Sequence, residues 1–144
     1  MRLLQLKTKK RMRDINRHAN TSMVEEYLYS ILNGAVSDHT FAGTLPSAIG
    51  SEWNDMVLID CDLPMTDYGV YSSATVYIFL YARPKADGSK NVPVLNSMEN
   101  ALCDVLDSIS DDHYSVDRLS NGADYDTTIN WHRNFVYFNL IITC

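Results

Sequence analysis

The chain has 144 residues, of which 46% are hydrophobic and 21% are charged, and its net charge at pH 7 is −6. These fractions lie close to the averages of globular proteins, so the composition excludes a disordered chain, a collagen-like repeat and a coiled coil. The longest apolar runs, residues 76–82 and 135–143, are far shorter than the roughly 20 residues that a membrane-spanning helix needs, so we expect no membrane association.

Charge is divided unevenly along the chain. Residues 1–21 contain seven basic residues and one acidic residue, whereas residues 22–144 contain five basic and seventeen acidic residues. We therefore expect a flexible basic leader followed by a single domain. The leader could contact nucleic-acid phosphates through its most basic stretch, which contains Lys7, Lys9, Lys10, Arg11 and Arg13. It could equally be a tail without a partner, or translation could begin at Met23 instead of Met1.

A helix is the first predicted element, at residues 22–33. Ser22 and Glu25 have the spacing of a capping box, in which each side chain accepts a backbone N–H at the start of a helix. Apolar side chains then recur at helical spacing on one face, namely Met23, Val24, Tyr27, Leu28, Ile31 and Leu32. Asn33 and Gly34 provide the left-handed residue that ends many helices.

Two strands are predicted to follow and to form an antiparallel hairpin. Glycine and proline residues interrupt residues 35–55, so only residues 36–45 are expected to form a short, irregular strand there. Residues 55–61 form an apolar run of strand length, and residues 71–82 are the longest strand candidate in the chain. The loop between these two strands contains a proline and a glycine, which favour turns.

Residues 71–82 alternate between two sets of side chains, as the period of two in a strand requires. The small and aliphatic set consists of Ser72, Ala74, Val76, Ile78, Leu80 and Ala82. The largely aromatic set consists of Tyr71, Ser73, Thr75, Tyr77, Phe79 and Tyr81. Helices can cover the aliphatic set. The chain is too short to bury the aromatic set as well, so we expect a second copy to cover it, unless residues 35–55, with Phe41 and Trp53, fold over it.

A second helix is predicted from Asn91 to about Ser110. Asn91 can cap it, and Pro93 is tolerated in the first turn. The apolar stripe of this helix consists of Leu95, Met98, Leu102, Val105, Leu106 and Ile109.

The last third of the chain is predicted to contain only strands and turns. Strands are expected at residues 114–119, 125–131 and 135–143, separated by a turn at residues 120–122 and a bend at residues 132–134. In the final strand the side chains that would face the helices are Val136, Phe138, Leu140 and Ile142. Those that would share the other face with the central aromatic residues are Tyr137, Asn139, Ile141 and Thr143.

The order of elements, α-β-β-α-β-β, predicts an α+β fold in which two helices pack on one face of a mainly antiparallel sheet of about four to five strands. On the other face the expected contact between subunits involves Tyr77, Phe79, Tyr81, Tyr137 and Ile141. An exposed apolar patch in a soluble protein typically binds a partner, and tyrosine is common at the centre of interfaces.

No catalytic, cofactor-binding or metal-binding residues are predicted. The four histidines are dispersed and lack the spacing of metal ligands. Cys61 lies between two aspartates, whose negative charge suppresses the thiolate that a nucleophilic cysteine needs. The glycine-rich loops of nucleotide-binding proteins and the G-x-S-x-G motif are absent from the sequence. An enzyme of another type remains an alternative, and a deep pocket lined by polar groups would be its sign.

The lengths and order of the elements resemble those of small tail-completion or tail-terminator proteins of long-tailed bacteriophages. The resemblance covers residues 22–144 and includes no diagnostic motif. The runs that carry it are SMVEEYLYSILNG, FAGTLP, VYIFLYAR, VPVLNSMENALCDVLDSI and NFVYFNLIITC.

This resemblance implies a structural protein of a phage or prophage particle, without catalytic residues or a cofactor. It implies a homo-oligomeric ring, commonly a hexamer, that caps the tail tube and meets the head connector. Such a protein is expected in the bacterial cytoplasm during assembly and then in the tail-neck region of the virion. DNA would be only passing cargo, and an acidic body suits a pore that DNA crosses without binding. The alternatives are a head-closure or neck component and a small nucleic-acid-binding module that uses the basic arm.

Overall fold

The computed structural model describes residues 19–61, 65–109 and 113–143. Within these ranges the chain forms two helices, α1 (Thr21–Leu32) and α2 (Val92–Asp107). It also forms six strands, which are β1 (Thr40–Ala42), β2 (Asp55–Asp60), β3 (Thr66–Asp67), β4 (Tyr71–Ala82), β5 (Tyr114–Asp126) and β6 (Trp131–Thr143). Most of the predicted leader, including Lys7, Lys9, Lys10, Arg11 and Arg13, lies outside the described residues.

The described strands form one sheet in the order β1-β2-β4-β6-β5, and β3 pairs with the free end of β4. Neighbouring strands are antiparallel except β1 and β2, which are parallel. The α+β class, the central position of residues 71–82 and the antiparallel pairing of β2 with β4 are therefore confirmed. The sheet has more strands than the four to five expected. The order along the chain is α-β-β-β-β-α-β-β. The additional strands are β1 and the two-residue β3, which are too short to show a clear strand pattern in the sequence.

Both helices cover the same face of the sheet, as predicted. The aliphatic side chains of β4 are fully buried against them, together with Val136, Phe138 and Leu140 of β6. From α1, Val24, Leu28 and Leu32 enter this core, and from α2 the contributing residues are Leu95, Met98, Leu102 and Leu106. The spacing of three and four residues places these side chains on one stripe of each helix, so one layer of helices meets one layer of sheet.

The start of α1 differs from the prediction. The N-cap is Asn20, whose Oδ1 accepts a hydrogen bond from the Met23 backbone N–H at 2.9 Å. Ser22 therefore lies inside the first turn and does not cap the helix with Glu25. Ala19 already packs against the helix-covered core, so the folded part begins before residue 22. The predicted end is confirmed, since Gly34 follows the helix with φ +87°, a conformation that glycine adopts without strain.

Helix α2 begins and ends close to the predicted residues. Asn91 occupies the N-cap position, but its side chain makes no capping hydrogen bond. Pro93 lies in the first turn, where its missing N–H would have no helical partner. The helix ends at Asp107, somewhat before the predicted end.

A single long hairpin replaces the three short strands predicted in the last third. The strands β5 and β6 have 13 residues each and pair along their whole length. Residues 120–122, predicted as a turn, instead follow a register shift inside β5, and the predicted bend at 132–134 is regular strand. The turn lies at residues 127–130, where Asp126 accepts the Thr128 and Asn130 backbone N–H groups at 2.9 and 2.7 Å. Long-range pairing with β6 thus overrides the local turn preference of the sequence Ser-Asn-Gly.

Candidate interaction surface on the aromatic face of the sheet

Four aromatic rings form a continuous cluster on the face of the sheet opposite the helices. We call Tyr77 and Phe79 of β4 with Phe135 and Tyr137 of β6 the aromatic face. Tyr77 lies directly opposite Tyr137 in the strand register, and Phe79 lies opposite Phe135. The ring centroids of Tyr77 and Tyr137 are 4.9 Å apart, and those of Phe79 and Phe135 are 5.9 Å apart. Cross-strand aromatic pairs at these distances stabilise a sheet, so the cluster is fixed before any partner binds.

All four rings are partly exposed to solvent. Beside them the same face carries Thr75, which donates a hydrogen bond to Asn139 at 3.1 Å, and the partly exposed Ile141. Of the residues predicted for the subunit contact, Tyr77, Phe79 and Tyr137 lie together in the cluster, and Ile141 lies further along the same face. This arrangement follows from the alternation of side chains along β4 and β6.

Phe135 was not included in the sequence-based set. The bend predicted at residues 132–134 made residue 135 the first residue of the predicted strand, and the set assigned to this face began at Tyr137. Extending the alternation of Tyr137 and Asn139 backwards by one step would have placed Phe135 on this face. Gly122 of β5 lies opposite it, and a Cβ at Gly122 would come within 2.7 Å of Phe135 Cζ. The glycine therefore leaves room for the ring, which packs across the neighbouring strand.

Tyr81 departs from the prediction. Its side chain is only 1% exposed, because it belongs to a second hydrophobic cluster with Met56, Leu58 and Trp131. It cannot reach a partner subunit while the chain is folded. Four side chains from the preceding loop and strand pack around this cluster, namely Phe41, Leu45, Ile49 and Trp53. Residues 35–55 therefore do fold over one end of the face, the end at Tyr81, and leave the end at Tyr77 and Tyr137 partly open.

A polar network joins the buried Tyr81 to the aromatic face. Arg133 donates to both carboxylate oxygens of Asp124, at 2.5 and 3.1 Å, and to the Tyr81 hydroxyl at 2.8 Å. The Tyr81 hydroxyl in turn donates to Asp126 Oδ2 at 2.9 Å. The guanidinium of Arg133 also lies 4.2 Å from the centroid of the Phe79 ring. Arg133 thus binds side chains of both β4 and β5, and its guanidinium covers one end of the ring cluster.

This network changes the pKa values of its members. Burial is the main cause that raises the pKa of Tyr81 from 10.0 to about 12, and the hydrogen bond to Asp126 raises it further, while Arg133 opposes the change. The hydrogen bonds to Asp124 are the main cause that raises the pKa of Arg133. Tyr81 is therefore a neutral donor, and Arg133 is a permanent cation, at every physiological pH.

At the other end of the face lies a shallow apolar groove. Its volume is about 340 Å³, and it is lined by Val70, Tyr71, Ile141 and Thr143. Val70 is 73% exposed and follows Gly69, whose φ of +91° forms the tight turn between β3 and β4. The rings and this groove lie along one strip of β4 and β6, with the hydrogen-bonded pair of Thr75 and Asn139 between them.

The strip has acidic residues on both sides. Asp60 of β2 pairs in register with Tyr77, and Asp117 of β5 pairs with Asn139, next to Tyr137. Asp117 is exposed and Asp60 is partly buried. The exposed Asp117 carboxylate therefore gives the β5 side of this surface a negative charge.

The described residues provide little for a catalytic or metal site. Among them, no group of three or more histidine, cysteine, aspartate or glutamate side chains is placed to hold a metal ion. A polar cavity of about 390 Å³ lies between the end of α1 and β2, and it is lined in part by Ser37, Asp38, His39, Glu52 and Asp55. Ser37 donates to Asp55, and the His39 ring stacks on Trp53 at 4.3 Å, so these contacts hold the loop against β2.

The sequence matches no protein-family model and no curated protein sequence. Neither of the described helices is both long and apolar enough to span a bilayer.

Proposed function

We propose that this protein is a non-enzymatic structural component of a phage or prophage particle, of the tail-terminator type. In this role it assembles as a ring, caps the end of the tail tube and joins it to the head connector. The proposal places the protein in the bacterial cytoplasm during assembly and in the tail-neck region of the finished particle. It is supported by the sequence runs that resemble those of tail-terminator proteins and by the surface described above.

The partly exposed aromatic face is the observation that carries the proposal. Four rings at the centre of a sheet, on strands whose opposite side is buried beneath the helices, form an apolar surface of the kind that soluble monomers rarely expose. Aromatic residues are enriched at the cores of protein interfaces, and here they are held in place by cross-strand contacts. The surface therefore has the properties of a preformed protein contact.

Ring formation requires two different patches on each subunit. A head-to-tail contact that repeats by rotation brings one surface of each copy against another surface of the next. A stable contact takes about 800 Å² from each partner, which is more than four partly exposed rings supply. The contact must therefore extend past Thr75 and Asn139 towards Val70 and Tyr71, which line the groove on the same side of the sheet.

Light scattering on the purified full chain tests the role of the aromatic face. We expect a cyclic oligomer whose mass falls to that of a monomer when Tyr137 is replaced by aspartate, because a charge at the centre of the contact would be desolvated without a partner. Tyr137→Asp is a better test than Phe79→Asp, because Phe79 also packs against the buried second cluster and Arg133.

Tyr125→Asp is the matched control. Tyr125 lies in the same hairpin and is 44% exposed, but its register partner is His132, on the helix side of the sheet. This variant should keep the mass of the oligomer. An unchanged mass for Tyr137→Asp, with circular dichroism showing an intact fold, would argue against assembly through the aromatic face.

The position in the particle needs a separate experiment. When added to polymerised tail tubes, a terminator should bind at one end and stop further growth, as seen by electron microscopy. A ring that binds the head connector and ignores tube ends would instead identify a head-closure or neck component. Neighbouring genes for tail-tube and portal proteins would support either role over an unrelated one.

A further inference from the structure

Asparagine precedes glycine at two places in the sequence, Asn33–Gly34 and Asn121–Gly122. In such a pair the backbone nitrogen of the glycine can attack the side-chain carbonyl carbon of the asparagine, because glycine has no side chain that hinders the approach. A new C–N bond forms, the bond from that carbon to the side-chain nitrogen breaks, and this nitrogen leaves as ammonia with the proton of the glycine N–H. Water then opens the resulting succinimide ring at either carbonyl, which gives aspartate or isoaspartate.

Both asparagines need the same local movement before they can react. The glycine nitrogen reaches the side chain only after the asparagine backbone rotates about its Cα–C bond and the glycine N–H leaves its hydrogen-bond acceptor. Asn33 has an extended ψ of 122°, and Asn121 lies in a strand, so neither residue is in the reactive conformation. Both residues are exposed, so exposure does not distinguish them. The rate at each site therefore depends on the free energy of opening the local structure.

The structure around Asn121 opposes this opening. Asn121 lies inside β5, which pairs with β6 along the hairpin, and its register partner is Val136. The side-chain nitrogen of Asn121 donates to Glu99 of α2 at 3.5 Å. The ring of Phe135 lies close to Gly122, where a Cβ would come within 2.7 Å of Phe135 Cζ. Rotation at Asn121 therefore breaks strand pairing and displaces a ring of the aromatic face.

Fewer contacts hold Asn33. It is the C-cap of α1, and its backbone N–H donates to the Tyr29 carbonyl at 3.0 Å. The Gly34 N–H donates to the Ser37 carbonyl at 2.8 Å, and residues 33 and 37 form an isolated bridge outside the strands of the sheet. Apart from its chain neighbours, no described residue has an atom within 4 Å of the position that a Cβ would take at Gly34. The turn can therefore open without disturbing the core or the sheet.

We propose that Asn33 is a site of spontaneous deamidation in the folded protein, and that the fold protects Asn121 from the same reaction. Opening at Asn33 breaks the hydrogen bond of one glycine and an isolated bridge, whereas opening at Asn121 breaks part of a hairpin with 13 residues in each strand. The co-reactant is water, and the products are aspartate and isoaspartate at residue 33. Asn33 ends a helix that lies opposite the aromatic face, so this proposal and the proposed function stand or fail separately.

The reaction would change the charge and the length of the turn beside the polar cavity described above. That cavity is lined by Gly34 and by the acidic residues Asp38, Glu52 and Asp55. A carboxylate at residue 33 adds negative charge next to them. Isoaspartate also inserts one further carbon into the main chain before Gly34, which lengthens the turn that the bridge to Ser37 closes. Because Ser37 donates to Asp55 of β2, the modification acts on the contact that holds the start of residues 35–55.

Ageing of the full chain in ¹⁸O-labelled water tests the assignment. One sample is kept folded in mildly alkaline buffer, and a second is kept in the same buffer with urea. Both are then cleaved after glutamate at acidic pH, where further deamidation is slow, which gives fragments 27–52 and 100–144. The first fragment contains Asn33 as its only asparagine. In the second, fragment ions in the mass spectrometer locate the label at residue 121.

We expect residue 33 to take up ¹⁸O at least about tenfold faster than residue 121 in the folded chain, a ratio that one or two additional hydrogen bonds in a strand suffice to produce. In urea the two rates should become similar, because both sites have the same Asn-Gly pair. Asn33→Gln is the matched control. It keeps the amide, but its longer side chain must close a six-membered ring, so fragment 27–52 of this variant should remain unlabelled.

Each other result contradicts the proposal. Residue 121 labelled at an equal or higher rate in the folded chain would overturn it, as would a fragment 27–52 that is labelled only in urea. A tenfold difference that persists in urea would show that the flanking sequence sets the rates and that the fold does not. Labelling of fragment 27–52 at an unchanged rate in Asn33→Gln would show that the label does not come from residue 33.

Discussion

The two faces of strands β4 and β6 both carry apolar side chains but have different surroundings. Val76, Ile78 and Phe138 are fully buried beneath α1 and α2, whereas Tyr77 and Tyr137, their immediate neighbours in the chain, are partly exposed. Both sets belong to the same strands and have the same backbone pairing. The difference therefore comes from what packs above each face, and it separates residues that mainly stabilise the fold from residues that are available to a partner.

The largest expected effect is the difference in stability between substitutions at Phe138 and Tyr137, which are neighbours in the chain but lie on opposite faces of the sheet. Phe138→Ala should lower the free energy of unfolding by about 3–5 kcal/mol, because it leaves a cavity beneath the helices. Tyr137→Ala should cost about 1 kcal/mol or less in the monomer, since it removes mainly a cross-strand contact. Urea denaturation of both variants at low protein concentration measures the comparison. Equal losses would show that the aromatic face belongs to the core and is not a separate surface.

A smaller effect is expected at Tyr81, at the covered end of the aromatic side of the sheet. Tyr81→Phe keeps the ring but removes the hydroxyl that accepts from Arg133 and donates to Asp126. We expect a loss of about 1–3 kcal/mol, because each partner loses one hydrogen bond in a partly buried place. Tyr125→Phe, at an exposed hydroxyl, is the control and should change the free energy of unfolding by less than about 0.5 kcal/mol.

The pH dependence of stability gives an independent measurement at the same residue. The pKa of Tyr81 is raised from 10.0 to about 12 in the folded chain, mainly by burial, so the folded state favours the neutral phenol. The contribution of Tyr81 to stability is therefore complete below pH 10 and is lost as the pH rises towards 12. Denaturation curves between pH 9 and 12, compared with those of Tyr81→Phe, should show this loss only in the unchanged chain. Parallel pH profiles for the two proteins would show that Tyr81 is not buried.

The smallest expected effect concerns helix α1, which covers the aliphatic face of the sheet. Asn20→Ala removes the hydrogen bond to the Met23 N–H and should destabilise the protein by about 1 kcal/mol. Ser22→Ala, at the residue that the sequence pattern selected as the cap, should change stability by less than about 0.5 kcal/mol. Thermal unfolding of the two variants distinguishes them, and the reverse order would restore the capping box formed by Ser22 and Glu25.

Elements with a repeating pattern could be predicted from the sequence. The stripes of both helices and the alternation of residues 71–82 require only the local geometry of a helix or a strand, and the structure confirms each of them. The pairing of β2 with β4 also followed, because two adjacent apolar runs joined by a turn favour an antiparallel hairpin. Tyr77, Phe79 and Tyr137 were correctly placed on one face for the same reason.

Features that depend on contacts distant in the chain were missed. The sequence Ser120-Asn121-Gly122 favours a turn by itself, but pairing with β6 holds it in a strand, where Gly122 makes room for Phe135. Tyr81 has the same place in the alternation as Tyr77 and Phe79. It is buried because residues 35–55, which carry no regular pattern, fold back over that end of the sheet.

The sequence by itself determined that the central strand has an aliphatic side and an aromatic side, because alternation is a property of any extended backbone. Only the tertiary structure decided how much of the aromatic side stays open. Burial depends on which distant segment packs there, and an irregular loop can cover a surface without leaving a periodic signal in its own residues.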